Sequence, residues 1–151
     1  MNNEILKLDN QLCFRLYAVS RRMTRLYQPY LEKFNLTYPQ YIVMLVMFEN
    51  KVMDFKKLSE VVDLKTGTLT PIVQRLEDNG FVSRVKNKQD MRKMNVILTE
   101  KGAELQRQVI EVPLSMAKDL QISEEMYMVL IKELDDLATI LKNAQVVKNE
   151  K

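Results

Sequence analysis

The stretch TGTLTPIVQRLEDNG, residues 66–80, decides the fold. Leu69, Ile72, Val73 and Leu76 recur at i, i+3, i+4 and i+7, which puts four apolar side chains on one helix face. The helix is expected to start near Thr66–Thr68 and to end at Asn79–Gly80, where glycine suits a left-handed C-terminal position. The opposite arc carries Gly67, Pro71 and Gln74, flanked by Thr68, Thr70 and Arg75. Gly67 and Pro71 keep that surface low, and threonine hydroxyls, Thr66 included, can donate to phosphates. Such a surface suits close approach to a DNA major groove. Pro71 lacks an N–H, so the helix must begin just before it or kink there.

Downstream, FVSRV (81–85) and MNVIL (94–98) alternate like two strands. The loop between them, KNKQDMRK (86–93), is polar and basic, and the whole reads as a hairpin with a long tip. Lys86, Lys88, Arg92 and Lys93 supply the charge. An arginine on a hairpin tip can enter a narrow, electronegative minor groove. Asp90 stands two residues before Arg92, where it can hold the guanidinium or the loop. Upstream, Asp54 is placed to cap a short helix, Phe55–Val62. Short helix, tight turn, second helix and basic hairpin make a winged helix-turn-helix over about residues 38–98, with double-stranded DNA as the expected partner.

The flanks read as helices. Leu12, Leu16, Val19, Met23, Leu26 and Tyr30 form one apolar stripe over roughly residues 9–33. Beside it runs a stripe of small or hydroxylated residues with the single cysteine: Cys13, Tyr17, Ser20, Thr24 and Tyr27. Thr37 and Gln40 form a T-x-x-Q capping box before an almost wholly apolar helix through Tyr41–Phe48. Thr99 caps a helix expected to bend at Pro113, and Ser123 caps a last helix with Met126, Leu130, Leu134, Leu137 and Leu141 in register. The expected class is mainly α with a small β-hairpin wing.

Composition narrows the function. The chain has 151 residues and a net charge of +3. Residues 65–93 hold seven basic and three acidic side chains, whereas residues 99–151 hold seven and ten. A local basic patch bears on nucleic-acid binding more than the total does. There is no histidine, which excludes His-based triads and His-ligated metals, and no glycine-rich phosphate cradle is present. No enzyme activity, metal or cofactor is expected. One cysteine excludes an intrachain disulfide framework. No apolar run is long enough to span a membrane, so a cytoplasmic location is expected.

The pattern LxxxxxLxxGTLTPIVQRLEDNGFVSR (58–84), with Asp90–Met91–Arg92 and LTEKG (98–102), resembles the MarR family of bacterial transcription regulators. The resemblance runs from the first helix to the last, implying a single MarR-like domain over 1–151. Its dimerisation helices would lie at about 9–34 and 100–147, and a homodimer would bind a pseudo-palindromic operator. NQLCFRLY (10–17) and LTYPQY (36–41) resemble the thiol-based peroxide-sensing branch, the OhrR-type repressors and their MgrA/SarZ-like relatives. By that resemblance Cys13 is the reactive thiol, and Tyr17, Tyr27 and Tyr38 hydrogen-bond it. The one-cysteine type forms a sulfenic acid with an organic hydroperoxide, then a mixed disulfide with a small cellular thiol, and releases DNA. Gln74, Met91 and Lys65 depart from residues common in such relatives, so the operator sequence is not carried over.

Helix geometry bears on Cys13 independently. At about 100° per residue Cys13, Tyr17 and Tyr27 share one face, but Cys13 and Tyr27 are separated by about 21 Å at ~1.5 Å per residue. Tyr27 therefore meets Cys13 only if it comes from an antiparallel copy of the same helix. Two other readings stay open. In one, the regulator answers a small aromatic ligand and Cys13 is structural. In the other, the chain is a thiol peroxidase, which would need a resolving thiol or an external reductant.

Overall fold

A computed structural model describes residues 3–149, and the chain divides into two compact units between Leu114 and Ser115. In the first unit, two short 3-10 turns, Asn3–Leu6 and Leu8–Asn10, precede helix α1, Leu12–Glu32. Helix α2 (Tyr38–Asn50), strand β1 (Val52–Asp54), helices α3 (Phe55–Val61) and α4 (Thr66–Asp78), strands β2 (Val82–Lys86) and β3 (Met94–Leu98), and helix α5 (Glu100–Val109) follow. Helix α6, Glu111–Leu120, crosses the division, and helix α7, Glu124–Asn149, belongs to the second unit.

Local chemistry sets the helix ends. The capping box on α2 closes, with the Thr37 backbone N–H donating to Gln40 Oε1 at 2.8 Å. The Asp54 carboxylate starts α3 by accepting from the backbone N–H groups of Lys56 and Lys57 at 2.9 and 3.1 Å. The turn into α4 uses Asp63 at φ 52°, a left-handed conformation that aspartate tolerates better than most residues. The Ser59 hydroxyl, itself buried, donates across that turn to the Leu64 carbonyl. Gly80 ends α4 at φ 76°, and the Phe81 N–H returns to the Leu76 carbonyl at 2.9 Å.

The strands form one antiparallel sheet in the order β1-β3-β2. The expected hairpin is there, with Val82 opposite Leu98 and Lys86 opposite Met94. A third strand, β1, was not expected and pairs with the other edge of β3, with Met53 opposite Val96. Met53 and Val96 are both buried. The core beneath is built from Val43, Met44 and Met47 of α2, Leu58 of α3, and Leu69, Val73 and Leu76 of α4, all at 0% exposure. This fixes the rotation of α4, because burying those three side chains turns Gly67, Pro71 and Gln74 outward.

Two boundaries differ from expectation. Helix α1 starts at Leu12 rather than near residue 9, so Cys13 is its second residue. Helix α4 keeps its expected bounds, starting at Thr66 and running through Pro71 to Asp78. The chain breaks after Val109 rather than at Pro113. Pro113 explains that break: it has no N–H for the Val109 carbonyl and its ring crowds the residue four back.

Candidate functional site

The reading face of α4 is assembled as the periodicity requires. Thr66, Gly67, Thr68, Thr70, Pro71, Gln74 and Arg75 are all exposed. A Cβ added at Gly67 would meet no atom within 4 Å, so the low profile there is open to a ligand. The Thr70 hydroxyl donates to the Thr66 carbonyl at 2.8 Å, so its proton is engaged within the helix rather than offered to a phosphate. Arg75 lies to one side, where it helps line a cleft with Thr37, Pro39 and Gln40 at the start of α2.

Gln74 is engaged in a way the sequence did not signal. Its Oε1 accepts from Arg84 Nη2, and its Nε2 donates to Asp78 Oδ1 at 2.8 Å. Arg84, on β2, is clamped to Glu77 by Nε at 2.9 Å and Nη2 at 2.6 Å, and its backbone N–H donates to the other Glu77 oxygen at 2.8 Å. These hydrogen bonds hold the Glu77 carboxyl below the usual range, against a smaller opposing effect of burial. The clamp ties the wing strand to the helix that precedes it.

The wing tip spans residues 87–93 between β2 and β3. Lys86, Lys88, Arg92 and Lys93 are exposed and Asp90 is half-buried. Asn87 Oδ1 accepts from the Gln89 N–H at 2.8 Å, and Asp90 Oδ1 accepts the Arg92 backbone N–H at 3.1 Å and Nε at 3.2 Å. The Arg92 backbone N–H, then its side chain, hold the Asp90 carboxyl low. Asp90 thus shapes the loop while the Arg92 side chain stays 92% exposed.

The thiol region is divided between the two ends of α1. Cys13 lies in the first turn and is exposed. Tyr17 is one turn on, its hydroxyl accepting from Arg21 at 3.3 Å while the Arg21 guanidinium lies 5.5 Å from its ring. Tyr27 is at the far end, where its ring meets Tyr38 at 5.1 Å and Tyr41 at 5.8 Å. The fold sets Tyr17 one helical turn from Cys13 and packs Tyr27 on Tyr38, with the two pairs at opposite ends of α1. Tyr41, three residues after Tyr38, shares one face of α2 with it. Burial, then the neighbouring Tyr27 and Tyr38, push the Tyr41 phenol up to about 12, and burial also raises Tyr38. Both therefore stay protonated hydrogen-bond donors at neutral pH.

In the N-terminal segment and first turns that hold Cys13, Ile5, Leu6, Leu8, Leu12 and Val19 are all more than half exposed. Separately, Met126, Leu130, Leu134 and Leu141 of α7 stand exposed along that helix. Among the described residues no helix is long and apolar enough to cross a membrane, and no group of side chains is placed to hold a metal ion.

A reading helix packed by its apolar face, tied to a basic β-wing, defines a winged-helix DNA-binding regulator. The family model for transcriptional regulator SarA/Rot matches residues 25–109. The chain belongs to that family, within the MarR-type winged-helix regulators and their OhrR/SarZ-like branch. It is 44% identical to the organic hydroperoxide resistance transcriptional regulator of Bacillus subtilis over 108 residues, covering 72% of this chain and 74% of that one. It is 34% identical to the HTH-type transcriptional regulator SarZ of Staphylococcus epidermidis over 132 residues, 87% of this chain and 89% of that one. Among solved structures, AbfR of Staphylococcus epidermidis, in its reduced form bound to DNA, superposes with a TM-score of 0.76 at 33% identity over 93% of this chain and 99% of that one. These relatives are transcriptional regulators, not enzymes.

Proposed function

We propose that two copies of this chain form a cytoplasmic, DNA-binding repressor that organic hydroperoxides switch off through Cys13. The observation that carries the switch is the division of α1, with an exposed thiol in its first turn and, about 21 Å further along the same helix, Tyr27 clustered with Tyr38 and Tyr41 of α2. An antiparallel copy packed on the exposed apolar side chains of the N-terminal segment would bring Tyr27 and Tyr38 of one protomer to Cys13 of the other, with Tyr17 contributed locally. Both ends of the arrangement favour thiolate. The first helical turn presents free backbone N–H groups and the positive end of the helix dipole, and phenol O–H groups donate to the sulfur.

The thiolate attacks the O–O bond of a hydroperoxide. The Cys13 Sγ takes one oxygen to become a sulfenic acid, and the other leaves as an alcohol after taking up a proton. A small cellular thiol then displaces water to form a mixed disulfide. Such an adduct in a packed interface would shift the two reading helices, which must face successive major grooves about 34 Å apart on a pseudo-palindromic operator. In this reading Thr66, Gly67, Thr68, Thr70, Pro71, Gln74 and Arg75 meet the major groove. Lys86, Lys88, Arg92 and Lys93 meet backbone and minor groove, and Asp90 holds the tip.

The test is the affinity of wild type and Cys13→Ser for an operator duplex selected from random sequence, before and after cumene hydroperoxide, with intact mass measured in parallel. Wild type should gain the oxidation or thiol adduct and release the duplex, and Cys13→Ser should do neither. Oxidised wild type that binds unchanged would sink the switch. A second reading, in which a small aromatic ligand is the effector, is favoured by a cleft of about 400 Å³ beside Tyr38, lined also by Thr24, Arg25, Gln28 and Glu32. Release of DNA by phenolic acids in Cys13→Ser would support it.

A further inference from the structure

We propose that Gln74 reads an adenine in each half-site, and that Asp78 and Arg84 are positioning residues that hold its amide in the orientation adenine requires. The proposal rests on the DNA-binding reading above and adds what base the surface selects and why.

Gly67, Pro71, Gln74 and Asp78 fall within roughly 60° of arc on α4, at about 100° per residue, so Gln74 belongs to the exposed face. An amide side chain can ordinarily present either its oxygen or its nitrogen in a given direction. Here the partners remove that freedom. A guanidinium has only donors and an ionised carboxylate only acceptors, so the Gln74 oxygen must face Arg84 and the nitrogen must face Asp78. Arg84 is in turn fixed by its three hydrogen bonds to Glu77. The anchor is a strand residue that cannot swing away with the glutamine.

Each internal bond uses half of the amide's capacity. The nitrogen carries two hydrogens and the oxygen two lone pairs, so one donor and one acceptor remain, side by side where Asp78 takes the hydrogen anti to the amide oxygen. In the major groove adenine offers an acceptor at N7 next to a donor at N6. Guanine offers two acceptors, cytosine a donor alone, and thymine an acceptor beside a methyl group. Among single bases, only adenine presents an acceptor and a donor together. Asp78 has a second effect: its carboxylate on the exposed arc disfavours a close phosphate, which leaves the face for base edges.

The experiment is selection of full-length protein on a random duplex library, with wild type, Gln74→Ala and Asp78→Ala compared by sequencing. Wild type should fix an adenine at one position of each half-site by about tenfold or more over other bases. Gln74→Ala should flatten that position and no other. Asp78→Ala removes an exposed side chain that makes no core contact. It should weaken the adenine preference several fold at the same position and leave the remaining positions intact. A guanine or cytosine at the position Gln74 controls, or an unchanged pattern in Gln74→Ala, overturns the adenine assignment. An undiminished adenine preference in Asp78→Ala overturns the positioning role. Enrichment of no sequence by wild type overturns the DNA-binding reading as well.

Discussion

Replacing Gly102 with alanine tests the junction between the wing and the helix that leaves it. A Cβ there would lie 2.6 Å from Leu98 Cδ1 and closer still to the Phe81 carbonyl oxygen. The leucine methyl can turn aside, but the carbonyl cannot, because it accepts from the Thr99 N–H at 3.1 Å and the Thr99 hydroxyl at 3.0 Å. Helix α5 must therefore retreat from the sheet, which overpacks the site at about 1–3 kcal/mol and weakens bonds worth about 1 kcal/mol each. The better helix propensity of alanine returns up to about 1 kcal/mol. The net loss is about 2–3 kcal/mol, which in urea moves the unfolding midpoint down by about 1 M. Far-UV circular dichroism during a urea titration measures it. Gly67→Ala is the contrast: nothing stands within 4 Å, so stability should hold or rise while DNA affinity falls. A Gly102→Ala midpoint at or above wild type would refute the reasoning about the pinned carbonyl.

Other outcomes follow from the same geometry. Arg92→Ala should weaken operator binding and flatten its salt dependence, since one fewer cation displaces phosphate counterions; equal slopes for mutant and wild type would remove the wing from the interface. The Glu77–Arg84 clamp should be fully present above the ordinary glutamate pKa of about 4.3 and fade as pH falls through the lower folded value. An acid titration of wild type against Glu77→Gln should therefore converge at low pH, and parallel curves would contradict it. Tyr27→Phe should leave operator affinity in the reduced state unchanged but slow the reaction of Cys13 with hydroperoxide, as followed by stopped-flow thiol loss. An unaltered rate would take Tyr27 out of the sensor.

What the sequence made legible was what it encodes locally. Asp54, Thr37 with Gln40, Thr99 and Ser123 each announce a helix start through a side chain and a backbone group two or three residues away, and each cap is formed. The apolar spacing of Leu69, Val73 and Leu76 set the rotation of α4 and with it the exposed face. What was missed depends on partners distant along the chain. Strand β1 has only three residues, and what makes it a strand is the open edge of β3. The engagement of Gln74 by Arg84 reaches across the turn that joins α4 to β2, where periodicity within one helix says nothing. The thiol region shows the same limit. Spacing along α1 separated Cys13 from Tyr27, but the packing of Tyr27 on Tyr38 and Tyr41 needed α2 in place.

That separation has a kinetic consequence. If the phenols that activate a thiol arrive on a second chain, an isolated protomer holds the parts of a detector and no detector. Sensitivity to oxidant then depends on how much protein is present. Dilution through the dimer dissociation constant should lower the reactivity of each thiol, and operator DNA, by holding two protomers together, should raise it at low protein concentration. The regulator would be most responsive while it is seated on the gene it controls.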